Sequence, residues 1–227
     1  DQGSDYAHYY LGMMYEDGKG VTQDYKQAIS WYRKAAGQGS DYAQNNLGMM
    51  YEGGKGVTQD YKQAISWFQK AVDQGNLDAQ EWLGYMYYEG KGVTMDYKQS
   101  VSWFQKAADQ GSSYAQNFLG TMYADGKGVA KDHNQAVSWF QKAVDQGNSD
   151  AKKNLKDLGL SEDKTKEVVK LANETVEEKK ENQKPENEKT LETQSRDVEN
   201  AIEIEFWNSI KDSNDSKEYQ IYLDEFP

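Results

Sequence analysis

The alternation of apolar and polar positions is clearest in the stretch DYKQAISWFQKAVDQG, from Asp60 to Gly75. Ala64, Ile65, Trp67, Phe68, Ala71 and Val72 stand at i, i+1, i+3, i+4, i+7 and i+8, which is one stripe on a 3.6-residue helix. Lys62, Gln63, Ser66 and Gln69 fall on its flanks or away from it. Asp60 stands at the N-cap with Gln63 three residues on, close to a capping box. Gly75 stands where a helix ends in a left-handed residue. Near-copies run from Asp24 to Gly39, Asp96 to Gly111 and Asp132 to Gly147, spaced by 36 residues without slippage. A fixed period in this range predicts a repeat architecture.

The residues between these copies carry a second pattern. In AQNNLGMMYEGGKGVT, Ala43, Leu47, Met50 and Tyr51 form a stripe at i, i+4, i+7 and i+8. Ser4, Ser40, Asn76, Ser112 and Asn148 follow the glycine that ends each preceding helix, and each is a good N-cap. The helix is expected to stop at a glycine pair: Gly18/Gly20, Gly54/Gly56, Gly90/Gly92 or Gly126/Gly128. A valine follows, as Val21, Val57, Val93 or Val129, placed to hold the loop on the core. Each copy is therefore a first helix, a turn and a second helix. Gly12, Gly48, Gly84 and Gly120 lie inside the first helices. A glycine there costs about 1 kcal/mol relative to alanine, so its recurrence predicts a close helix–helix approach. One unit buries too little to offset its ordering entropy alone, and neighbours must complete its core.

The pattern A-x3-LG-x2-Y-x2-GKGV-x2-D-Y-x2-A-x2-W-[YF]-x-KA-x2-QG resembles the Sel1-like repeat, a relative of the tetratricopeptide repeat. The resemblance covers Asp1 to Gly147, with a partial fifth unit to about Gly159. It implies an all-α fold, an α-solenoid with a right-handed superhelix of antiparallel helix pairs, used as a protein-interaction scaffold. The family also has disulfide-stapled members, and this chain has no cysteine.

The expected organisation follows. Asp1-Gln2-Gly3 matches Asp73-Gln74-Gly75, so residues 1–3 read as the end of a preceding repeat and more chain is expected upstream. Residues 4–147 are four repeats. Residues 148–160 keep Ala151 and Leu155 but lose the glycine and tyrosine positions, and read as a polar capping helix. Residues 161–197 are rich in Glu, Lys and Asn and read as an acidic linker, helical in part at most. Residues 198–227 return to apolar positions, with Ile202, Phe206, Trp207 and Ile210 before a DSND turn and Tyr219, Tyr222 and Phe226 after it. That last segment resembles a helical-hairpin motif of bacterial multidomain proteins, seen there beside Sel1-like repeats and caspase-like domains, and reads as truncated.

Charge narrows the partners. The net charge is −12. Residues 1–160 hold 16 basic and 19 acidic side chains, and residues 161–227 hold 10 and 19. An acidic chain without a basic stripe argues against nucleic acid or an anionic membrane as the main partner. No apolar run is long enough to span a membrane. Cytoplasm and periplasm both stay open.

The copies differ mostly on the first helix, and the candidate binding residues are its changing positions. The first set is Tyr9, Asn45, Glu81 and Asn117; the second is Tyr10, Asn46, Trp82 and Phe118; the third is Met13, Met49, Tyr85 and Thr121; the fourth contributes Tyr88, opposite Glu16, Glu52 and Ala124. At 100° per residue the first, third and fourth sets point away from the apolar stripe, and Tyr9, Met13, Tyr85 and Tyr88 are expected to be exposed. The second set lies at the edge of the stripe, where packing between neighbouring first helices and partner contact both fit. Such an aromatic strip suits a peptide or partner helix.

Catalytic candidates fare worse. Met14, Met50, Met86 and Met122 form a core stripe. The GKGV loops lack the spacing of a phosphate-binding loop. His8 and His133 are far apart and replace Gln44 and Tyr61 of the pattern. Asp24, Asp60, Asp96 and Asp132 read as caps. The reading is therefore a non-enzymatic scaffold for a protein or peptide, with no cofactor or metal. The alternative is a regulatory or targeting segment of a larger bacterial multidomain enzyme, for example a caspase-like one, whose catalytic domain lies outside this chain.

Overall fold

A computed structural model of the protein describes residues 2–158. The expected linker at 161–197, the hairpin at 198–227 and the last residues of the capping segment lie outside the described residues. Among those described there are nine α-helices and no strand. The chain divides into two compact units, whose described parts are residues 2–40 and 41–158.

The first unit's described part is one helix pair, α1 (Gln2–Asp17) and α2 (Tyr25–Gly37). Asp24 caps α2, its carboxylate accepting from the Lys26 and Gln27 amides. The pair is antiparallel: Gly12 lies under the Tyr32 ring, while His8 meets Gln38 at 2.9 Å near the other end. His8 thus occupies a packing position of the repeat. Tyr32 is fully buried and its hydroxyl donates to Glu16 at 2.7 Å.

The second unit stacks α3 (Asp41–Gly53), α4 (Tyr61–Val72), α5 (Leu77–Glu89), α6 (Tyr97–Asp109), α7 (Ser113–Asp125), α8 (His133–Asp145) and α9 (Ser149–Asp157). It is an α-solenoid of three helix pairs followed by a single helix. Asp60, Asp96 and Asp132 cap the second helices through N–H groups two and three residues on. Ser4, read as a cap from the sequence, lies within α1, whereas Asn76, Ser112 and Asn148 cap the first helices, each accepting from the one N–H three residues on. These recurring polar residues therefore satisfy helix ends that would otherwise be left with bare donors.

The core is narrower than the sequence stripe. Ala43, Leu47, Met50, Ala64, Phe68 and Ala71 are at most 1% exposed, whereas Ile65, Trp67 and Val72 are half-buried. Met86 and Met122 are buried with Met50. The mid-helix glycines explain themselves here. A Cβ on Gly48 would collide with the Phe68 ring, and one on Gly120 would meet Phe140 at 2.5 Å. The second-helix aromatic lies flat on the first helix, and any side chain would push the pair apart.

Polar staples fix the register within each pair. Gln74 donates to Gln44 at 2.9 Å, Gln110 to Gln80 at 3.0 Å and Gln146 to Gln116 at 2.8 Å. The GKGV loop is closed by backbone bonds from Asp60 to Tyr51, Asp96 to Tyr87 and Asp132 to Tyr123, each 2.9 Å. Helix α9 places Ala151 in the core and Leu155 and Leu158 beside it, with Lys152, Lys153 and Lys156 exposed.

Candidate binding groove

Three residues of α5 meet three from its surroundings. Glu81, Trp82 and Tyr85 stand at i, i+1 and i+4, on one side of the helix. Glu52 at the end of α3, Lys91 in the loop after α5 and Tyr114 in the first turn of α7 complete a groove of about 460 Å³. All six belong to the second unit.

Its floor is aromatic and held from behind. Trp82 stacks on Phe68, with centroids 5.6 Å apart and planes 3° apart, and Tyr85 meets Trp82 edge-on at 6.1 Å. Phe68 is fixed against Gly48, so the floor is anchored to the core rather than free to rotate. Tyr114 is 42% exposed. Burial, then the negative charge of Glu81, pushes its hydroxyl up to about 12, so it stays a neutral donor.

The charges are unequal in their pairing. Lys91 Nζ lies 3.1 Å from the Glu52 carboxylate and 3.5 Å from the Tyr85 hydroxyl, with the Tyr85 ring 4.8 Å away. Its hydrogen bond to Glu52 raises its pKa. Glu81 accepts a hydrogen bond from the Ser112 hydroxyl. Burial raises the Glu81 pKa, Ser112 opposes that rise, and Asp78 adds to it. A raised folded-state pKa means that ionising Glu81 weakens the fold relative to the unfolded chain. Glu81→Gln is therefore expected to raise the melting temperature at neutral pH. The gain shrinks to nothing as pH falls below the ordinary carboxylate pKa, where the acid is neutral in both states. Thermal melts of both proteins across pH check this.

Lys91 also reveals an inter-repeat latch. It reaches back 39 residues to Glu52, and Lys127 reaches back 39 residues to the Tyr88 hydroxyl at 2.6 Å. Tyr88 packs edge-on against Tyr97 and Phe118. The loop lysine therefore ties each of these repeats to the one before it.

The structure distributes the sequence candidates unevenly. Glu81, Trp82 and Tyr85 come together in the groove. Tyr85 and Tyr88, both expected to be exposed, are half-buried, Tyr85 in the groove and Tyr88 as part of the latch. Phe118 of α7 stacks on Phe104 of α6 at 4.7 Å and meets Tyr88 of α5 edge-on, so its ring packs against the preceding helix pair. Asn45 is only 4% exposed, contrary to its outward placement on the helical wheel. Asn117 accepts from Asn154 of α9 at 2.9 Å, and Thr121 donates back to the Asn117 carbonyl. Asn46 and Met49 are half-buried on α3. In the first unit Tyr9, Tyr10 and Met13 are half-buried; Tyr9 meets Tyr10 at 5.5 Å and Tyr32 at 5.8 Å. Within the second unit the wheel could not show that the following repeat reaches over a first helix, as Asn154 does at Asn117 and Lys127 at Tyr88. Sequence reasoning also left out Glu52, Lys91 and Tyr114. The recurrence of Lys in every GKGV loop, and of Tyr6, Tyr42 and Tyr114 at one repeat position, was the available sign.

Among the described residues no helix is long and apolar enough to cross a membrane, and no group of His, Asp or Glu is placed to hold a metal.

A stack of helix pairs with tight glycine approaches and loop latches defines a helical-repeat protein of the solenoid class. The chain belongs to the Sel1 repeat family, which it matches over residues 5–40, 41–76, 77–112 and 113–148. It is similar in structure to a protective antigen of uropathogenic Escherichia coli strains with an SLR fold, at 42% identity and a TM-score of 0.66, covering 69% of this chain and 34% of that one. It is similar also to a Sel1 repeat protein from Oxalobacter formigenes, at 39% identity and a TM-score of 0.65, covering 68% of this chain and 63% of that one. The chain thus spans less than two thirds of either relative. No match is found among curated proteins. Sel1-repeat proteins are generally protein-interaction scaffolds, and the fold is typically non-catalytic.

Proposed function

We propose that this protein is a non-catalytic scaffold that binds a protein or peptide on the face of its first helices, centred on the α5 groove. The observation that carries this is the aromatic floor of Trp82 and Tyr85, open to solvent yet braced by the core through Phe68. Rigid aromatic side chains in a recess supply contact area with little ordering cost, which is what binding hot spots use. The family's general role as an interaction scaffold supports the same reading.

Tyr85→Asp tests it. Tyr85 is half-buried, and among the described residues its hydroxyl takes the long 3.5 Å contact from Lys91. The variant is expected to keep its helical circular-dichroism spectrum while losing partner capture by at least about tenfold in a quantitative pulldown with the full chain. Unchanged capture by the folded variant would remove the groove from the function. Tyr88 is the wrong residue for this test, because its loss also releases Lys127.

A further inference from the structure

The groove carries one carboxylate more than it can pair. Lys91 is matched to Glu52 at 3.1 Å. No cation pairs with Glu81 among the described residues, and the other charge that acts on it is Asp78, of like sign. A half-buried carboxylate whose partner is a hydroxyl is incompletely compensated. The aromatic side chains of Trp82, Tyr85 and Tyr114 line the same recess.

We propose that the groove receives a basic side chain of the partner, an arginine above all, lying against Trp82, Tyr85 and Tyr114 with its guanidinium bonded to Glu81. This rests on the reading of the groove as the binding face. The chemistry selects among occupants. An acidic side chain would meet Glu81 and Glu52 together. An apolar one would bury Glu81 further with nothing to offset the loss of water. A cation gains on both counts, because a ring face attracts it and the carboxylate completes its charge. Arginine suits the site better than lysine, since its plane can stack on a ring while its edge bonds a carboxylate through two N–H groups. The net charge of −12 favours approach of a basic segment from a distance as well.

The test is selection of random-sequence peptides on the full chain. Each selected peptide is then titrated against the parent, Tyr85→Asp and Glu81→Gln, the last chosen because it keeps size and hydrogen-bonding capacity. The expected peptides carry arginine. Replacing that arginine by citrulline, its neutral isostere, weakens binding to the parent about 10–100-fold. Glu81→Gln weakens the arginine peptide by a similar factor and no longer distinguishes arginine from citrulline. Peptides that depend on Tyr85 but carry no basic residue, or ignore Glu81→Gln, would overturn the basic-side-chain assignment and leave the binding face standing. Peptides indifferent to Tyr85→Asp, or no selected peptide at all, would remove the face itself and this inference with it.

Discussion

Phe104→Ala is expected to lower the unfolding free energy by about 3–5 kcal/mol, the range for deleting a buried aromatic side chain. Phe104 is fully buried. Its ring lies against Gly84 of α5, where a Cβ would stand 3.0 Å from three ring atoms, and stacks on Phe118 of α7 at 4.7 Å. A single ring thus joins three helices and two successive repeats. In a solenoid the stability resides largely in such interfaces between neighbours, so the loss is felt beyond the residue's own repeat. A companion substitution sharpens the prediction. Gly84→Ala alone must push the Phe104 ring, and its helix-propensity gain of about 1 kcal/mol is absorbed by that crowding. In the Phe104→Ala background the ring is gone, so the same change should stabilise. Urea melts of the four proteins give the coupling, and additive effects would mean that Gly84 and Phe104 do not share the contact described.

Gly128→Ala has the second largest expected effect. Gly128 holds φ at 73°, in the left-handed region. A side chain there costs about 1–2 kcal/mol in conformation. An added Cβ would also collide with the Tyr97 carbonyl oxygen and lie 2.9 Å from the Lys98 amide nitrogen. Both belong to the backbone at the start of α6, which cannot swing aside as a side-chain tip can. Overpacking of this kind adds a further ~1–3 kcal/mol. Gly126 is the internal control. Its φ of 74° is nearly the same, but its Cβ would meet the Lys131 Cβ at 3.2 Å rather than a neighbouring repeat. Gly126→Ala is therefore expected to cost clearly less in the same chemical melt. Equal losses would mean that conformation alone makes both positions glycine and that the loop is not pressed onto the preceding repeat.

Much of this architecture was legible along the chain. The 36-residue period, the apolar stripes and the Asp, Asn and Ser caps are local features, and helices obey local rules. The mid-helix glycines even disclosed a long-range fact, the close approach of the two helices in each pair. The groove was legible only in part. A helical wheel gives direction about one axis, and it placed Glu81 and Tyr85 outward. It cannot tell which outward residues the next repeat covers. That depends on the step from one pair to the next, which binds Asn117 to Asn154 and draws Tyr88 under Lys127. The 39-residue reach of the loop lysines is likewise a property of stacking. It exceeds the repeat by three residues, one short turn along the earlier helix. Glu52 and Tyr88, which receive those lysines, therefore looked like freely varying surface positions, although each is the acceptor of a latch.

The central claim is that partners dock on the first-helix face at the α5 groove. The most direct measurement places a photo-crosslinking benzoylphenylalanine at position 85 or, for comparison, at position 69, where Gln69 is exposed on the second helix α4. The full chain carrying each substitution is irradiated in lysate of the source cells. The account predicts a discrete adduct from position 85 and none from position 69. An adduct from position 69 without one from position 85 would place the partner on the second-helix face and contradict it.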